Sequence, residues 1–478
     1  MVKDVEELSA EAKPDLFSEA DFPLQTDVRL HGIETSQHVA AEIVAVKSRS
    51  RLAVYLPTIG ESAGCTGSLC STGRQAFTEK ATQVSRPPDE VADIIRAQGN
   101  RFIENNRSWL RWPHIKVLRA IARCRTSALG GHRDRCPRCG HQAISYNSCR
   151  NRHCPKCQTA TRDKWLAARQ QELLAVGYSH VVFTLPQELS LLALQNKKAV
   201  YSLLFRASAE TLLQIAADPK HLGAEIGFLS VLHTWGQNLL HHPHVHCVIA
   251  AGGLSPDHSC WVRPRYAFFL PVKALSRVFR GKFVAGLKRL FRRGKLVFAG
   301  KLKPLAHPKA FSSFLRPLFR RDWIVYAKPP FGGPHHVLHY LARYTHRVAI
   351  SNHRLIAFEN NQVAFRWKDY AHKSKQRTMT LSADEFLRRF LLHVLPRAFV
   401  RIRFFGFLAN RRRSILLPLC QQLLGQQAAR SHALAERAVT PPTSWLCPTC
   451  SMPMLLIEHL PATPASIPWA RTAPLDSS

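Results

Sequence analysis

The segment His242-Pro243-His244-Val245-His246-Cys247-Val248-Ile249-Ala250 predicts a β-strand. Side chains two residues apart on a strand point to the same face, so His244 and His246 would present both imidazoles on one side, with Val245 on the other. Two imidazoles on one face suit a divalent metal ion, although core or surface histidines would give the same spacing. The segment therefore predicts a metal site on one face of a β-sheet.

A second segment, Tyr340-Leu341-Ala342-Arg343-Tyr344, predicts a helix on which Tyr340 and Tyr344 are neighbours. Such a pair can be half-buried core aromatics. Arg343 and Arg347 make this stretch cationic, which suits a phosphate backbone better than a core. A metal beside a phosphate and a tyrosine that attacks it are the parts of a DNA-nicking enzyme that forms a phosphotyrosine bond.

The charge of the chain favours a polyanionic partner. The 478 residues carry a formal net charge of +35, and residues 277–321 hold fourteen Lys/Arg and no Asp/Glu. Nucleic acid is the leading partner, and a solubility surface or a membrane-facing patch is the alternative. No apolar run reaches a membrane-spanning length, and the acidic N-terminus lacks the apolar segment of a secretory signal, so we expect no membrane partner.

Paired cysteines predict a structural zinc site. Cys136 and Cys139 precede Cys154 and Cys157 by a fourteen-residue spacer, close to the pattern of two zinc knuckles that share one tetrahedral ion. Further candidate ligands, which would complete a second site or replace one of these four, are Cys149, His153, His132 and Cys124. Arginines within the module, Arg150 and Arg152 among them, are candidate DNA contacts. The tail pair Cys447 and Cys450 needs two more ligands, such as Cys420 and a histidine.

Helix and strand patterns alternate, but several connections are too short for parallel crossovers. The sequence therefore predicts an α+β fold with a mainly antiparallel sheet flanked by helices, preceded by a small Cys-rich zinc-binding domain. We expect an acidic, weakly ordered head over residues 1–86, a helical and zinc-binding domain over 87–165, a nuclease domain over 166–410, and a basic, then Pro-rich tail over 411–478.

Several long stretches resemble one known family, the two-tyrosine HUH rolling-circle transposases of bacterial insertion sequences (insertion-sequence family ninety-one). The matching stretches are CRTSALGGHRDRCPRCG, YNSCRNRHCPKCQ, HVVFTLPQEL, LHHPHVHCVIAAGGL, YAKPPFGGP, YLARYTHRVAISNHRL, FRWKDYAHKSKQRTMTL and FLRRFLLHVLPRAFVRIRFFGFLAN. They cover residues 87–410 in the order of the family.

The resemblance implies that the protein nicks one DNA strand at the end of the element and becomes joined to its 5′ phosphate. It implies that His244 and His246 hold the catalytic metal, Mg²⁺ or Mn²⁺, and that Tyr340 and Tyr344 are the nucleophiles. It implies a structural Zn²⁺ in the cysteine block. A third metal ligand is expected from elsewhere in the sheet, with Gln237 and His180 as candidates.

The implied substrate is single-stranded or hairpin DNA, and the implied location is the cytoplasm of a bacterium, at the nucleoid. Two other functions remain open from the sequence. A plasmid replication initiator or relaxase would use the same chemistry. A zinc-dependent DNA-binding regulator would form no covalent bond to DNA.

Overall fold

The computed structural model describes residues 88–170, 172–265, 270–331, 348–369, 372, 375–425 and 445–463. Its helices are α1 Val91–Asn105, α2 Trp112–Ala122, α3 Pro155–Gln170, α4 Ser190–Gln195, α5 Lys197–Ala217, α6 Val272–Arg292, α7 Pro308–Leu315, α8 Ala383–Leu392 and α9 Arg413–Leu423. Its strands are β1 Gly131–Arg135, β2 Gln142–Tyr146, β3 Tyr178–Thr184, β4 Gly227–Trp235, β5 His241–Ala250, β6 Gly253–Leu254, β7 Trp261–Val262, β8 Val325–Phe331, β9 Leu355–Glu359, β10 Gln362–Asp369, β11 Lys375–Ser382, β12 Ile402–Gly406 and β13 Leu455–Leu460.

A five-stranded sheet with the order β12-β4-β5-β3-β8 forms the centre of the fold. Every neighbouring pair in it is antiparallel. The predicted α+β class with a mainly antiparallel sheet is therefore confirmed. β5, which carries the HxH segment, is the middle strand, so its backbone is paired on both sides and its side chains have fixed directions.

The two faces of this sheet are covered differently. One face carries Val245, Cys247 and Ile249 of β5 and packs against the apolar sides of α5 and α6. The other face carries Val248 and packs against residues of α3 and α9. His246 and His244 share this second face because they are two and four residues, respectively, from Val248.

A second core joins the N-terminal helices to a smaller sheet. Apolar residues of α1, α2 and α8 pack together with the three-stranded sheet β11-β10-β9. The strand patterns of Leu355–Phe358 and Gln362–Trp367 predict a hairpin across Glu359-Asn360-Asn361. The pairing of β9 with β10 confirms it, and Asn360 and Asn361 both take positive φ in the turn. Asparagine tolerates this left-handed conformation better than most residues, so the pair favours a two-residue hairpin turn.

One strand end differs from the sequence expectation. The proline- and glycine-rich stretch over Lys328–Pro334 predicts a rigid turn, but the start of that turn is wrong because β8 continues through Phe331. β8 is an edge strand, and prolines are tolerated at an edge because one side of the strand needs no N–H donor. A domain boundary between residues 165 and 166 would fall inside α3. The acidic head, residues 1–86, lies outside the described residues.

A third small sheet connects distant parts of the chain. β1 pairs with β2 in a hairpin, and the C-terminal strand β13 adds to the other edge of β1. Arg133 of β1 and Glu458 of β13 form an ion pair of 3.3 Å across this edge. The segment 445–463 is therefore part of the cysteine-rich module rather than a separate tail.

Candidate metal centres

Three histidines converge on the second face of the central sheet. His244 and His246 come from β5, and His233 comes from β4, directly opposite His244 in the antiparallel register. One ring nitrogen of each lies within 4.8 Å of the others. His233 and His246 are buried and His244 is half-buried. The strand prediction for the HxH segment is thus confirmed, and a third imidazole joins the pair.

Hydrogen bonds orient two of these imidazoles. His244 Nδ1 lies 2.7 Å from the His242 carbonyl oxygen, which can only accept, so Nδ1 carries the proton and Nε2 keeps its lone pair. His246 Nδ1 lies 2.9 Å from His180 Nε2. If His246 Nδ1 is the donor in this contact, its Nε2 is also left with a lone pair. A metal-binding histidine usually donates its other ring N–H in this way, so the donor set fits a metal ion.

His180 is suited to accept that hydrogen bond. Burial, with a smaller contribution from the charge of Lys328, lowers the pKa of His180 from 6.5 to about 3. The ring is therefore neutral at physiological pH and offers one nitrogen lone pair. Its plane is nearly parallel to that of His246, with 4° between them and 5.1 Å between ring centroids.

The third imidazole was missed by the sequence reasoning, which offered Gln237 and His180. His180 lies behind His246 rather than in the three-histidine cluster. The backbone oxygen of Gln237 accepts a hydrogen bond from Arg354, and Gln237 follows the end of β4. The apolar run Ile226–Leu232 predicts a strand, and β4 extends beyond that run to Trp235, which brings His233 into the pairing. A histidine one residue beyond a predicted strand was the available signal.

The two predicted nucleophiles cannot be placed. Tyr340 and Tyr344, with Arg343 and Arg347, fall within residues 332–347, outside the described residues. Their roles remain predictions. The chain is described again from Val348, which lines a small cavity together with Thr234 and Trp235.

Four cysteines form a first cluster at the end of α2 and the start of α3. They are Cys124, Cys149, Cys154 and Cys157, with their Sγ atoms within 4.8 Å of one another. Cys157 Sγ lies 3.5 Å from both Cys124 Sγ and Cys149 Sγ. Tetrahedral zinc with Zn–S bonds of 2.3 Å places sulfurs about 3.8 Å apart, so the spacing suits zinc.

Four further cysteines form a second cluster in the small sheet: Cys136, Cys139, Cys447 and Cys450. Cys136 Sγ is 3.4 Å from Cys450 Sγ, and Cys139 Sγ is 3.5 Å from Cys447 Sγ. Two members come from the β1–β2 turn and two from the segment before β13. Cys420, which the sequence suggested as a partner of the tail pair, is instead buried in the core beneath the central sheet.

The prediction of one zinc site for the two N-terminal CxxC pairs is therefore wrong. The backbones of the pairs differ. Gly140 follows Cys139 with φ of +72°, which folds the chain into a turn. Pro155 follows Cys154 and starts α3, so Cys154 and Cys157 occupy the first turn of a helix. Of the additional candidates, Cys149 and Cys124 join the first cluster, whereas His153 and His132 belong to neither.

The predicted DNA contacts and His153 have different surroundings. Arg152 donates to the carbonyl oxygens of Phe399 and Pro396, each at 2.6 Å, so its guanidinium is used inside the protein. We correct its assignment from a DNA contact to a structural residue. Arg150 is exposed. His153 Nε2 lies 3.5 Å from the Leu395 amide nitrogen, and burial lowers its pKa to about 3.

Comparison with known proteins gives the class of the chain. The profile described as "Putative transposase" matches residues 227–415, which include all three clustered histidines. The profile described as "Transposase zinc-binding domain" matches residues 94–185, which include the whole first cysteine cluster. No solved structure matches the chain significantly.

Two curated proteins are similar over most of their length. The "Putative transposase y4qJ" of Sinorhizobium fredii is 52% identical over 78% of this chain and 96% of its own length. The "Transposase for insertion sequence element IS801" of Pseudomonas savastanoi pv. phaseolicola is 29% identical over 66% of this chain and 75% of its own. The chain belongs to the IS91 family of transposases with an N-terminal zinc-binding domain. Within the described ranges, no helix combines the length and apolar character needed to cross a membrane.

Proposed function

We propose that this transposase cuts and rejoins one DNA strand through a covalent 5′-phosphotyrosine, with Tyr340 and Tyr344 as nucleophiles. The observation that carries the proposal is the cluster of His233, His244 and His246 on one face of the central sheet. Membership in a transposase family argues against a plasmid replication initiator.

The three histidines would hold the catalytic divalent cation. Nδ1 of His244 and Nδ1 of His246 each lie within hydrogen-bonding distance of a neighbour, so Nε2 is the nitrogen that we propose for coordination in both residues. When the cation is bound there, it supplies Lewis-acid polarisation of the scissile phosphate. Mg²⁺ and Mn²⁺ are the ions we propose for it.

The phenol oxygen of one tyrosine would form a bond to phosphorus as the bond from phosphorus to the 3′ oxygen breaks. The phenol loses its proton, and the 3′ oxygen gains one as a free 3′ hydroxyl. One phosphate ester replaces another, so rejoining needs no nucleotide cofactor. The reverse attack by a 3′ hydroxyl restores the tyrosine. Two tyrosines allow a second strand to be held while the first remains attached.

Val348, four residues after Tyr344 in the sequence, supports this assignment by its own position. It lines one cavity with Thr234 and Trp235, the two residues after His233. The ring of Trp235 stacks on His233 with 4.7 Å between centroids.

The substrate we propose is single-stranded or hairpin DNA at the ends of the element. The net charge of +35 supplies attraction to the phosphate backbone. Arg150, Arg343 and Arg347 are the proposed DNA contacts, and Zn²⁺ in the first cysteine cluster would fix the end of α2 against the start of α3. The protein would act at the bacterial nucleoid.

The test is formation of a covalent adduct. Single-stranded oligonucleotides covering both flanks of the gene would carry a label at either the 3′ or the 5′ end, and would be incubated with the protein and Mn²⁺. A 5′-phosphotyrosine joins the 3′ part of the cut strand to the protein. The 3′ label should therefore migrate with the protein on a denaturing gel, and the 5′ label should not.

Variants assign the nucleophiles. The Tyr340→Phe/Tyr344→Phe double variant should lose the adduct, as should His244→Ala/His246→Ala. Tyr146→Phe, on the exposed face of β2, is a matched control that should keep it. An adduct in the double tyrosine variant would refute the nucleophile assignment. Sequence-specific binding with no adduct under any condition would favour the DNA-binding regulator.

A further inference from the structure

We infer that the second cysteine cluster is a separate zinc site, split between the two ends of the described chain, that holds the C-terminal segment onto the N-terminal module. Cys136 and Cys139 lie within the matched zinc-binding domain, but Cys447 and Cys450 lie far beyond it and beyond the matched transposase region. The inference does not depend on the nicking reaction.

The first argument is the geometry of the sulfurs. Three Sγ–Sγ distances in the cluster are 3.4, 3.5 and 3.6 Å, and each joins a cysteine of one pair to a cysteine of the other. These separations are close to the ~3.8 Å edge of a tetrahedral ZnS₄ unit and far longer than the ~2.05 Å of a disulfide bond. The sulfurs are therefore arranged around a common centre.

The second argument is that the two pairs have the same backbone. The Gly140 amide donates to the Cys136 carbonyl at 3.1 Å, and the Ser451 amide donates to the Cys447 carbonyl at 2.8 Å. The residue after each pair, Gly140 or Ser451, has a positive φ of 72° or 56°. The first cysteine amide of each pair also donates to the carbonyl five residues later, at 2.8 Å in both. Such paired knuckle turns are typical of zinc ribbons.

The third argument is the small hydrophobic core of this module. Among the described residues, its buried hydrophobic cluster consists of Cys136, Cys447 and Met454, with Ala143 and Cys450 packed against them. Large apolar side chains of its strands, Ile144 and Leu455 among them, are instead more than half exposed. A sheet of three short strands with so small a core needs a metal or a disulfide to be stable.

The consequence is an order of assembly. β13 pairs with β1 along its whole length, so the C-terminal segment supplies both half of the ligands and one strand of the sheet. The N-terminal zinc-binding module is then complete only after the last part of the chain has been synthesised. The first cluster needs no such partner, because all its ligands lie between residues 124 and 157.

Zinc counting tests the split site. The parent would be the full chain with His244→Ala/His246→Ala, so that the imidazoles do not add to the count, and zinc per chain would be measured by elemental analysis and native mass spectrometry. We expect two zinc ions in the parent and one in Cys136→Ser/Cys139→Ser. We also expect one in Cys447→Ser/Cys450→Ser and one in the quadruple variant.

The quadruple variant is decisive. If the two cysteine pairs share one ion, replacing both pairs removes no more zinc than replacing either pair alone. Cys260→Ser, an exposed cysteine outside both clusters, is the control and should keep two ions. Retention of one zinc ion in the quadruple variant shows that the first cluster, and hence the helical part, is still folded. Two ions in Cys447→Ser/Cys450→Ser, or none left in the quadruple variant, would overturn the inference. Disulfide bonds among these four cysteines, detected in freshly purified parent after zinc is removed, would also overturn the inference.

A cleavage experiment tests the holding role. A specific protease site would be inserted between residues 426 and 444, and the cut protein would be passed over a sizing column. The C-terminal fragment should remain with the body in the zinc-loaded parent and separate from it in Cys136→Ser/Cys139→Ser. Separation of the C-terminal fragment from the zinc-loaded parent, or equal retention of the fragment in both proteins, would contradict a metal site that holds the C-terminal segment.

Discussion

His180 Nε2 lies 2.9 Å from His246 Nδ1, and the two rings are nearly parallel. This contact links a buried, neutral histidine of β3 to a histidine of the proposed catalytic metal site on β5. His180 is not one of the three clustered histidines, so we propose that it acts through His246 as a positioning residue.

Replacement of His180 should weaken metal binding. His180→Ala removes the acceptor for the His246 N–H, and loss of such a partner typically lowers metal affinity about 10–100-fold. His180→Gln keeps an oxygen acceptor and should recover part of that loss. Titration of Mn²⁺ into protein that carries zinc in its cysteine clusters but not at the histidines, monitored by calorimetry, measures the affinity. Equal affinities for wild type and His180→Ala would show that the contact has no orienting role.

The third ligand can be tested against the earlier candidate. His233→Ala should abolish both Mn²⁺ binding at this site and adduct formation, because two imidazoles alone hold a divalent ion weakly. Gln237→Ala, four residues further along, is the control and should keep both. The readouts are Mn²⁺ affinity and the labelled-oligonucleotide gel. The opposite pattern, with Gln237→Ala inactive and His233→Ala active, would return the ligand role to Gln237.

The ligand set predicts a metal preference. Three imidazole nitrogens suit a transition ion better than Mg²⁺, which prefers carboxylate and water oxygens. We therefore expect more adduct with Mn²⁺ than with Mg²⁺ at equal, subsaturating concentration. The comparison is a titration of each ion at constant ionic strength. A lower half-saturating concentration for Mg²⁺ would indicate that oxygen ligands from outside the three histidines dominate the site.

Replacement of Arg152 should affect stability, whereas replacement of Arg150 should affect DNA binding. Arg152→Ala removes hydrogen bonds to the carbonyls of Phe399 and Pro396 and should lower the free energy of unfolding by about 1–3 kcal/mol. Arg150→Ala should leave stability unchanged and weaken single-stranded DNA binding. It should also reduce the slope of the logarithm of the binding constant against the logarithm of salt concentration by about 1. Urea denaturation and binding at several salt concentrations measure the two effects. Reversal of the two phenotypes would restore the DNA role of Arg152.

The buried His393 predicts acid sensitivity. Its Nε2 lies 2.9 Å from the Leu239 carbonyl oxygen, and burial lowers its pKa from 6.5 to about 3. Above pH 6.5 the ring is neutral whether the chain is folded or unfolded, so pH has no effect through this group. As pH falls from 6.5 towards 3, only the unfolded chain takes up the proton, so folding loses about 1.4 kcal/mol per pH unit.

His393→Gln provides the comparison, because its amide can donate to the same carbonyl and cannot titrate. Its urea midpoint should fall less steeply than that of wild type between pH 6.5 and 5. The difference between the two slopes removes the shared contribution of zinc loss at acid pH. Parallel slopes would mean that His393 stays neutral in the unfolded chain or becomes protonated in the folded protein.

Much of the fold followed from local patterns. Side-chain alternation predicts the strand at His244 and His246, and turn residues predict the β9–β10 hairpin. The helical periods over residues 197–217 and 272–293 predict α5 and α6. All of these patterns are local properties of the chain. The family followed from the order of long motifs. The same local signals could not set the ends of β4 and β8, since strand ends depend on pairing with neighbours.

The sequence by itself determined which residue types are present for chemistry: paired histidines on one strand, paired tyrosines, and CxxC pairs. Only the tertiary structure decided how they combine. His233 joins His244 through strand register, and Cys136 and Cys139 meet Cys447 and Cys450 rather than Cys154 and Cys157. The reason is that a metal site is defined by distances between side chains, and residues hundreds of positions apart become neighbours only when strands such as β1 and β13 pair.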